Sequence, residues 1–535
     1  MTHRQILEAL SGLLLGMFVA ILSSTVVSNA LPRIISELHG TESSYTWVVT
    51  ATLLALTATT PIWGKLADLT SKKLLVQLAL VIYVLGSVLA GLAQTTGELI
   101  ACRVIQGVGA GGLTALAQII MAAMIAPRQR GRYSGYLGAV FALGTIGGPL
   151  IGGVIVDTSW LGWRWCFYVG VPFAVAAIVV LQKTLNLPVV TRKAKIDYLG
   201  ATLISASVSL LLIWVSLAGN NFAWLAWQTP VMVLGAVVLG ALALRVESRA
   251  AEPIIPLHLF RSRTVALATL ASVAVGVAMY GASVFLGQYF QISRGESPTR
   301  AGLMTLPMIL GLLVASTLTG RLITRTGRWK RYLVSGAVLL TVGFALMGTL
   351  RAETSFPLMS VYMAVLGIGL GMTMQNLVLA VQNTVAIREL GAASSLVAFS
   401  RSLGGAVGVS ALGALLGHRV AGYLADGFGS LGVTAPDGGG AIPNVATLPG
   451  PIRAVVEIAY GHGAGDIFLT AAPFALITLI AVIFIKEVPL RQQSGTDLSS
   501  TGTPESGGQH GQGTPGSGGQ FRPGAATAAT PGAVR

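Results

Sequence analysis

Gly64-Lys65-Leu66-Ala67-Asp68-Leu69-Thr70-Ser71-Lys72-Lys73 sets one carboxylate among cations in a short turn between two apolar stretches. The outline returns at Gly320-Arg321-Leu322-Ile323-Thr324-Arg325-Thr326-Gly327-Arg328-Trp329-Lys330, at another such junction, with Thr324 where the first copy has its acid. The chemistry available here is electrostatic rather than covalent. An acid near a helix end can pair with a cation or with the positive end of a neighbouring helix, and such a contact holds two bodies together until they rock apart. Gly64, Asp68, Lys72 and Lys73 therefore read as a latch. Gly320, Arg325, Gly327 and Arg328 form a second gate loop that carries only cations, so it reads as topological or as resting on lipid heads.

A second constellation lies inside an apolar stretch. Gln106 and Gly107 fall at i+3 and i+4 from Arg103 and so share its helix face. A cation there is costly and usually functional, although a snorkelling arginine near the interface fits the same residues. Gly144, Gly148 and Gly152 recur every four residues, which strips one helix face of side chains and lets another helix approach closely, while Pro149 adds a bend and Gly153 follows in the same stretch. Carboxylates are missing from the middle of every apolar stretch. Glu98, Asp157 and Asp466 lie near stretch ends, so any proton coupling is expected to use them, with Arg103 adjusting a neighbour. Arg401 sits deep without an acid to neutralise it, which predicts a cavity that disfavours cations and accepts neutral or anionic amphiphiles. Thr25, Ser28, Asn29, Gln118, Gln288, Gln375 and Asn376 are polar residues expected to face that cavity or to bond between helices.

The elements that position these residues follow from composition. Over 535 residues, 53% are hydrophobic, only 10% are charged, and mean hydropathy is +0.75, which excludes an ordinary soluble domain. Spanning helices need about 20 mostly apolar residues each, and about fourteen such stretches can be read. The first carries Ser23, Ser24 and Thr25 in its body and reads as a retained span rather than a cleaved leader. Cations concentrate in alternate loops, which puts both termini in the cytoplasm. The net charge of +15 is then a topology signal and an attraction to anionic membrane lipids, not a nucleic-acid footprint. Cys102 and Cys166 have no metal spacing, and none of the six histidines lies deep in a stretch, so no metal, haem or other cofactor is expected. With no deep base and nucleophile within reach, an enzyme is not expected either. A non-transporting sensor and a lipid scramblase remain open on residues alone.

The two gate loops join the second to the third stretch and the tenth to the eleventh. The expected fold is thus all-α and polytopic, with two pseudo-symmetric six-helix halves flanking two linker helices. This gives an N-terminal half over 1–190, linker spans over 191–262, a C-terminal half over 263–490 with a Gly- and Pro-containing external loop at 417–463, and a tail at 491–535 too polar to fold. Parallel repeats with a site between the halves are a transporter design.

Gly64 to Lys73 resembles the loop motif of the major facilitator superfamily. Arg103-Val104-Ile105-Gln106-Gly107 is similar to its second motif, and Gly144 to Gly153 to the motif associated with exporters. Together with Trp163-Arg164-Trp165 and fourteen spans, the chain resembles the EmrB/QacA drug-resistance exporters from Leu7 to about Arg491. The resemblance implies the major facilitator fold and plasma-membrane export of small amphiphilic compounds (drugs, antibiotics or secondary metabolites) by proton antiport. Gly64, Asp68, Lys72 and Lys73 would gate, Arg103 would influence proton exchange, and the glycine face would hinge. The energy source would be the proton gradient and the partners a small-molecule substrate and membrane lipids. The transporter would act as a monomer. Ser71 and Leu69 depart from the loop pattern, and Ser23 stands where such antiporters carry a first-span aspartate, so that proton site is not carried over. An exporter or flippase of lipid-like or anionic metabolites without carboxylate coupling is the alternative. High arginine, glycine and alanine content suggests a bacterial source.

Overall fold

The computed structural model describes residues 3–39, 42–158, 161–185, 187, 197–218, 222–430 and 448–491. The tail beyond 491 therefore lies outside the described residues. Without water in a bilayer core, backbone groups must be satisfied within the segment, and the chain answers with long helices. The first six are α1 (His3–Glu37), α2 (Glu42–Leu69), α3 (Lys72–Leu92), α4 (Thr96–Met124), α5 (Pro127–Asp157) and α6 (Trp165–Thr184). Two more follow, α7 (Tyr198–Leu217) and α8 (Gln228–Glu247). The last six are α9 (Arg263–Gln288), α10 (Leu306–Thr326), α11 (Lys330–Met347), α12 (Phe356–Thr384), α13 (Leu390–Ser430) and α14 (Gly450–Phe484). Among the described residues, 13 helices are long and apolar enough to cross a membrane. The 31-residue α5 completes the set by its place in the chain.

Helix ends follow local chemistry. The Ser71 hydroxyl accepts the Leu74 N–H and starts α3. Thr95 does the same for α4 by accepting the Glu98 N–H, while the Glu98 carboxylate accepts the Gln94 N–H at 2.8 Å. Gly327 stops α10 in the left-handed region at φ +70°, where glycine costs nothing.

Each half has its own apolar interior. In the first, α1 packs on α5, α6 and α4, and α4 packs on α2 and α3. In the second, α9 packs on α13 and α14, and α12 on α10 and α11. The halves meet through α5 against α10 and α2 against α13, a pairing related by the expected pseudo-symmetry. The two linker helices pack on each other, and α7 leans on α2 and α13, with the Ser205 hydroxyl donating to the Ala58 carbonyl at 3.3 Å.

One expectation changes. The segment 417–463 is not one irregular loop: α13 continues to Ser430 and α14 begins at Gly450. Helix formers such as Ala411, Leu412, Ala414, Leu415 and Leu416 carry α13 past Gly417 and Gly422, because an isolated glycine costs only about 1 kcal/mol in a helix.

Candidate functional site

The latch lies where α2 crosses α13, at the end of the molecule that carries the basic loops. The Asp68 carboxylate closes the last turn of α2 and accepts the N–H of Gly391 at 2.7 Å and of Ala392 at 2.8 Å. Both donors belong to the first turn of α13, whose amides have no partner within the helix. A negative group there also meets the positive end of the helix dipole. The crossing is close because neither helix carries a side chain at it. A Cβ on Gly64 would strike the Ser395 hydroxyl, and one on Gly391 would strike Asp68 and the Gly64 carbonyl. One half thus supplies a charge, the other a helix end, and glycines on both sides allow them to meet.

The neighbouring lysines divide their roles. Lys72 lies within electrostatic reach of Asp68. Lys73 turns away and donates to the Gln182 carbonyl at the end of α6 at 2.6 Å. Lys65 points to the linker side and pairs with Glu252 at 2.5 Å. Glu252 belongs to the segment after α8, which is shaped by Glu247 accepting the N–H groups of Ile254 and Ile255. The same segment reaches the second half through His258, whose Nε2 lies 2.7 Å from Glu389, just ahead of α13. Lys65, Asp68, Glu247, Glu252, His258 and Glu389 are among the residues lining a half-open cavity of about 570 Å³.

The pseudo-symmetric crossing, α5 with α10, is built differently. Gly320 is buried, and the Thr324 hydroxyl donates to the Gly320 carbonyl at 2.9 Å within its own helix. Arg325 and Arg328 are exposed. The first turn of α5 is met instead by the segment after α14, where the Arg128 N–H donates to the Arg491 carbonyl at 3.3 Å. That segment is strapped down by Glu487 accepting from the Trp329 N–H, by Trp329 Nε1 donating to the Val488 carbonyl, and by Asn383 bonding Pro489 and Arg491. Beside it, buried Arg130 donates to the Ala122 and Ile125 carbonyls and, across the halves, to Gln382 at 2.6 Å. Gln382 in turn donates to Ser394. Replacing Arg130 with Met strands those acceptors, so the unfolding midpoint in detergent is expected to fall, at a cost of about 2 kcal/mol or more. An unchanged midpoint would remove Arg130 from the ties between the halves.

Arg103 is buried in the first half and does not snorkel. Its guanidinium donates to Gln106 Oε1 and, at 3.3 Å, to the Val48 carbonyl. The Gln106 amide donates to Ser87 at 2.7 Å and to Ser23 at 3.2 Å. Gly107 is a packing position, since a Cβ there would meet Ala55 of α2 at 2.9 Å. The structure does not gather the coupling candidates around Arg103. Glu98 is exposed and caps α4. Asp466 belongs to the other half, accepting from the Tyr423 hydroxyl at 2.8 Å with Arg419 at 3.8 Å. The Asp157 side chain lies outside the described residues.

The glycine face of α5 packs on α1. A Cβ on Gly144 would meet Ile21, and one on Gly148 would meet Thr25. Gly152 is buried, while the Pro149 side chain and the Gly153 site lie outside the described residues. Thr25, expected to face a cavity or to bond between helices, does the latter and donates to the Gly144 carbonyl at 3.0 Å. The second half repeats the arrangement, with Gly404 of α13 against Val273 of α9. Of the other cavity candidates, Asn376 is buried and donates to the Met372 carbonyl at 2.6 Å. Gln118 is buried and Gln288 half-buried, each with an unpartnered Oε1, and Gln375 is half-buried. The Ser28 and Asn29 side chains lie outside the described residues.

Several functional residues were missed by sequence reasoning: Gly391, Ala392 and Ser395 at the latch, the Lys65–Glu252 pair, Arg130 with Gln382, and the strap ending at Arg491. Lys65 carried a signal in its place within the gate motif. Gly391 also carried one, as a glycine at the start of an apolar stretch.

Two packed helical halves, joined at one end by a polar contact between them, are the architecture of a polytopic membrane transporter. The sequence agrees, matching the Major Facilitator Superfamily over residues 13–409. The chain belongs to this family. It is 39% identical over 485 residues to an uncharacterized MFS-type transporter of Mycobacterium tuberculosis, covering 90% of this chain and 69% of that protein. It is 34% identical over 421 residues to the multidrug transporter protein MdtP of Bacillus subtilis, covering 78% and 76%. Its fold is similar to that of the proton:xylose symporter XylE, with a TM-score of 0.63 at 13% identity over 94% of this chain and 100% of that one.

Proposed function

We propose that this chain is a secondary exporter of small amphiphilic compounds, working by alternating access and driven by proton antiport. The single observation that carries it is the Asp68 carboxylate of one half seated on the first turn of α13 of the other. Such a contact is broken and remade without covalent chemistry, as a rocking transporter requires. Similarity to the multidrug transporter protein of Bacillus subtilis supports drug-like cargo. The basic loops support a cytoplasmic latched end by the positive-inside rule, and on this reading the conformation is locked on the cytoplasmic side. A monomer in a bacterial plasma membrane, with lipids as its surroundings and no cofactor, completes the reading. Among the candidate carboxylates, Asp466 is assigned to the proton, because Tyr423 and Arg419 hold it in the outer part of the second half, whereas Glu98 is occupied in a helix cap.

The test is export of a chemically mixed panel (a fluoroquinolone, ethidium, an anionic naphthalenesulfonate) from cells expressing the chain, with and without a protonophore. Export that collapses with the protonophore, and whose pH dependence disappears in Asp466→Asn, is expected. Export that survives the protonophore sinks the antiport reading, and no export above the empty-vector control sinks the exporter reading itself.

A further inference from the structure

We infer that Arg401 is the anion-binding residue of the transport site, and that the preferred cargo is an organic anion, an apolar body bearing one carboxylate or sulfonate. The inference rests on the exporter reading and names its substrate class.

Arg401 lies on α13 roughly 16 Å beyond Leu390 along the axis, at 1.5 Å per residue. Every residue from Leu390 to Ser400 is buried, yet Arg401 is half-buried, so an otherwise closed helix opens at this side chain. The position is rigid. A Cβ on Gly276 of α9 would collide with the Arg401 carbonyl, and one on Gly405 would collide with the Tyr280 ring. That ring therefore lies on α13 one turn from Arg401, and Tyr280 is itself half-buried.

The contrast with the other buried cations decides the matter. Arg103 has Gln106 and the Val48 carbonyl, Arg130 has Gln382 and two carbonyls, and Lys65 has Glu252. Among the described residues Arg401 makes no hydrogen bond and no ion pair, and its electrostatic neighbour is the side chain of Tyr280. A guanidinium offers five donors in a planar fork matched to a carboxylate or sulfonate. A charge held half out of water without a partner is costly, and an anion that enters beside it relieves the cost. The partner that relieves the cost is one the described residues do not supply. The apolar half of the cargo has its own complement, since Leu53, Leu54 and Phe141 reach from the first half, partly buried, onto the core of the second, which Tyr280 also joins. An acid anchored at Arg401 with its apolar body toward the other half would touch both bodies that must move.

The experiment uses the full chain in lipid nanodiscs and two probes of nearly the same shape, 8-anilinonaphthalene-1-sulfonate and the uncharged N-phenyl-1-naphthylamine, with signal from empty nanodiscs subtracted. Saturable binding of the sulfonate is expected to weaken about tenfold or more in Arg401→Gln while the neutral probe changes less than about twofold, as befits loss of a charge-assisted hydrogen bond. Arg401→Lys, which keeps the charge and loses the fork, should fall between. Equal losses for both probes, or none for the sulfonate, would falsify the assignment. If Arg401→Gln is not monodisperse, the wild-type protein decides: tighter binding of the sulfonate than of the neutral probe and of tetraphenylphosphonium supports it, and the reverse order sinks it. Binding needs no turnover. Charge-selective binding without counterflow would remove the exporter reading and keep Arg401 as an anion site, whereas counterflow indifferent to Arg401 would do the opposite.

Discussion

Replacing Asp68 by Ala is expected to cut export at least about tenfold while leaving the protein inserted and folded. The side chain gives two charge-assisted hydrogen bonds to α13, at 2.7 Å and 2.8 Å, each worth about 1.5–3 kcal/mol when the acceptor is ionised. Losing even one such contribution moves the balance between locked and unlocked states about tenfold or more. The shift has a direction: the latched end should open. Distances between spin labels on the latched ends of the two halves, introduced after Cys102 and Cys166 are removed, should lengthen in Asp68→Ala and change less in Asp68→Asn, which keeps an acceptor oxygen. Wild-type distances in the alanine variant would show that Asp68 does not lock this end. The glycines at the crossing make the residue hard to replace from elsewhere, because no larger side chain fits between Gly64 and Gly391.

Gly148→Leu is expected to abolish export with equal force by a different route. At this position a Cβ alone would land on the Thr25 hydroxyl and Cβ of α1, so α1 and α5 must separate. Thr25 then loses its bond to the Gly144 carbonyl, and overpacking of a close crossing adds about 1–3 kcal/mol. Gly148→Ala should give a partial loss, because one carbon still collides. The check is export normalised to protein in the membrane, with melting temperature recorded beside it. Full export by the leucine variant would show that the α1–α5 crossing tolerates separation, and the glycine face would lose its mechanical role.

The distance between what the chain announces and what it hides has a physical cause at each residue. Asp68 was legible because an acid among cations beside a glycine is rare in a loop this short. Its partners were not, because they are backbone amides, and every helix start presents those regardless of sequence. The strap through Glu487 and Arg491 was hidden for the same reason: much of its bonding is to carbonyls and amides. Thr25 was read as facing a cavity or bonding between helices because a threonine in lipid needs an acceptor, but sequence does not say which helix exposes that acceptor. The helical parts of 417–463 were masked by glycines whose individual cost is small against a run of alanine and leucine. Arg401 and the missing acid around it were conspicuous in the sequence, but that no described neighbour hydrogen-bonds it is a fact of three dimensions.

The linker helices deserve a mechanical reading. Much of α8, including Val231, Leu234, Val237, Val238 and Leu244, faces outward, while the segment that follows it grips Lys65 through Glu252 and approaches Glu389 through His258. The pair is a paddle set in the bilayer with its shaft fastened to both sides of the lock. A change in bilayer thickness is therefore expected to be felt at the lock, and export measured in bilayers of different acyl-chain length is the check.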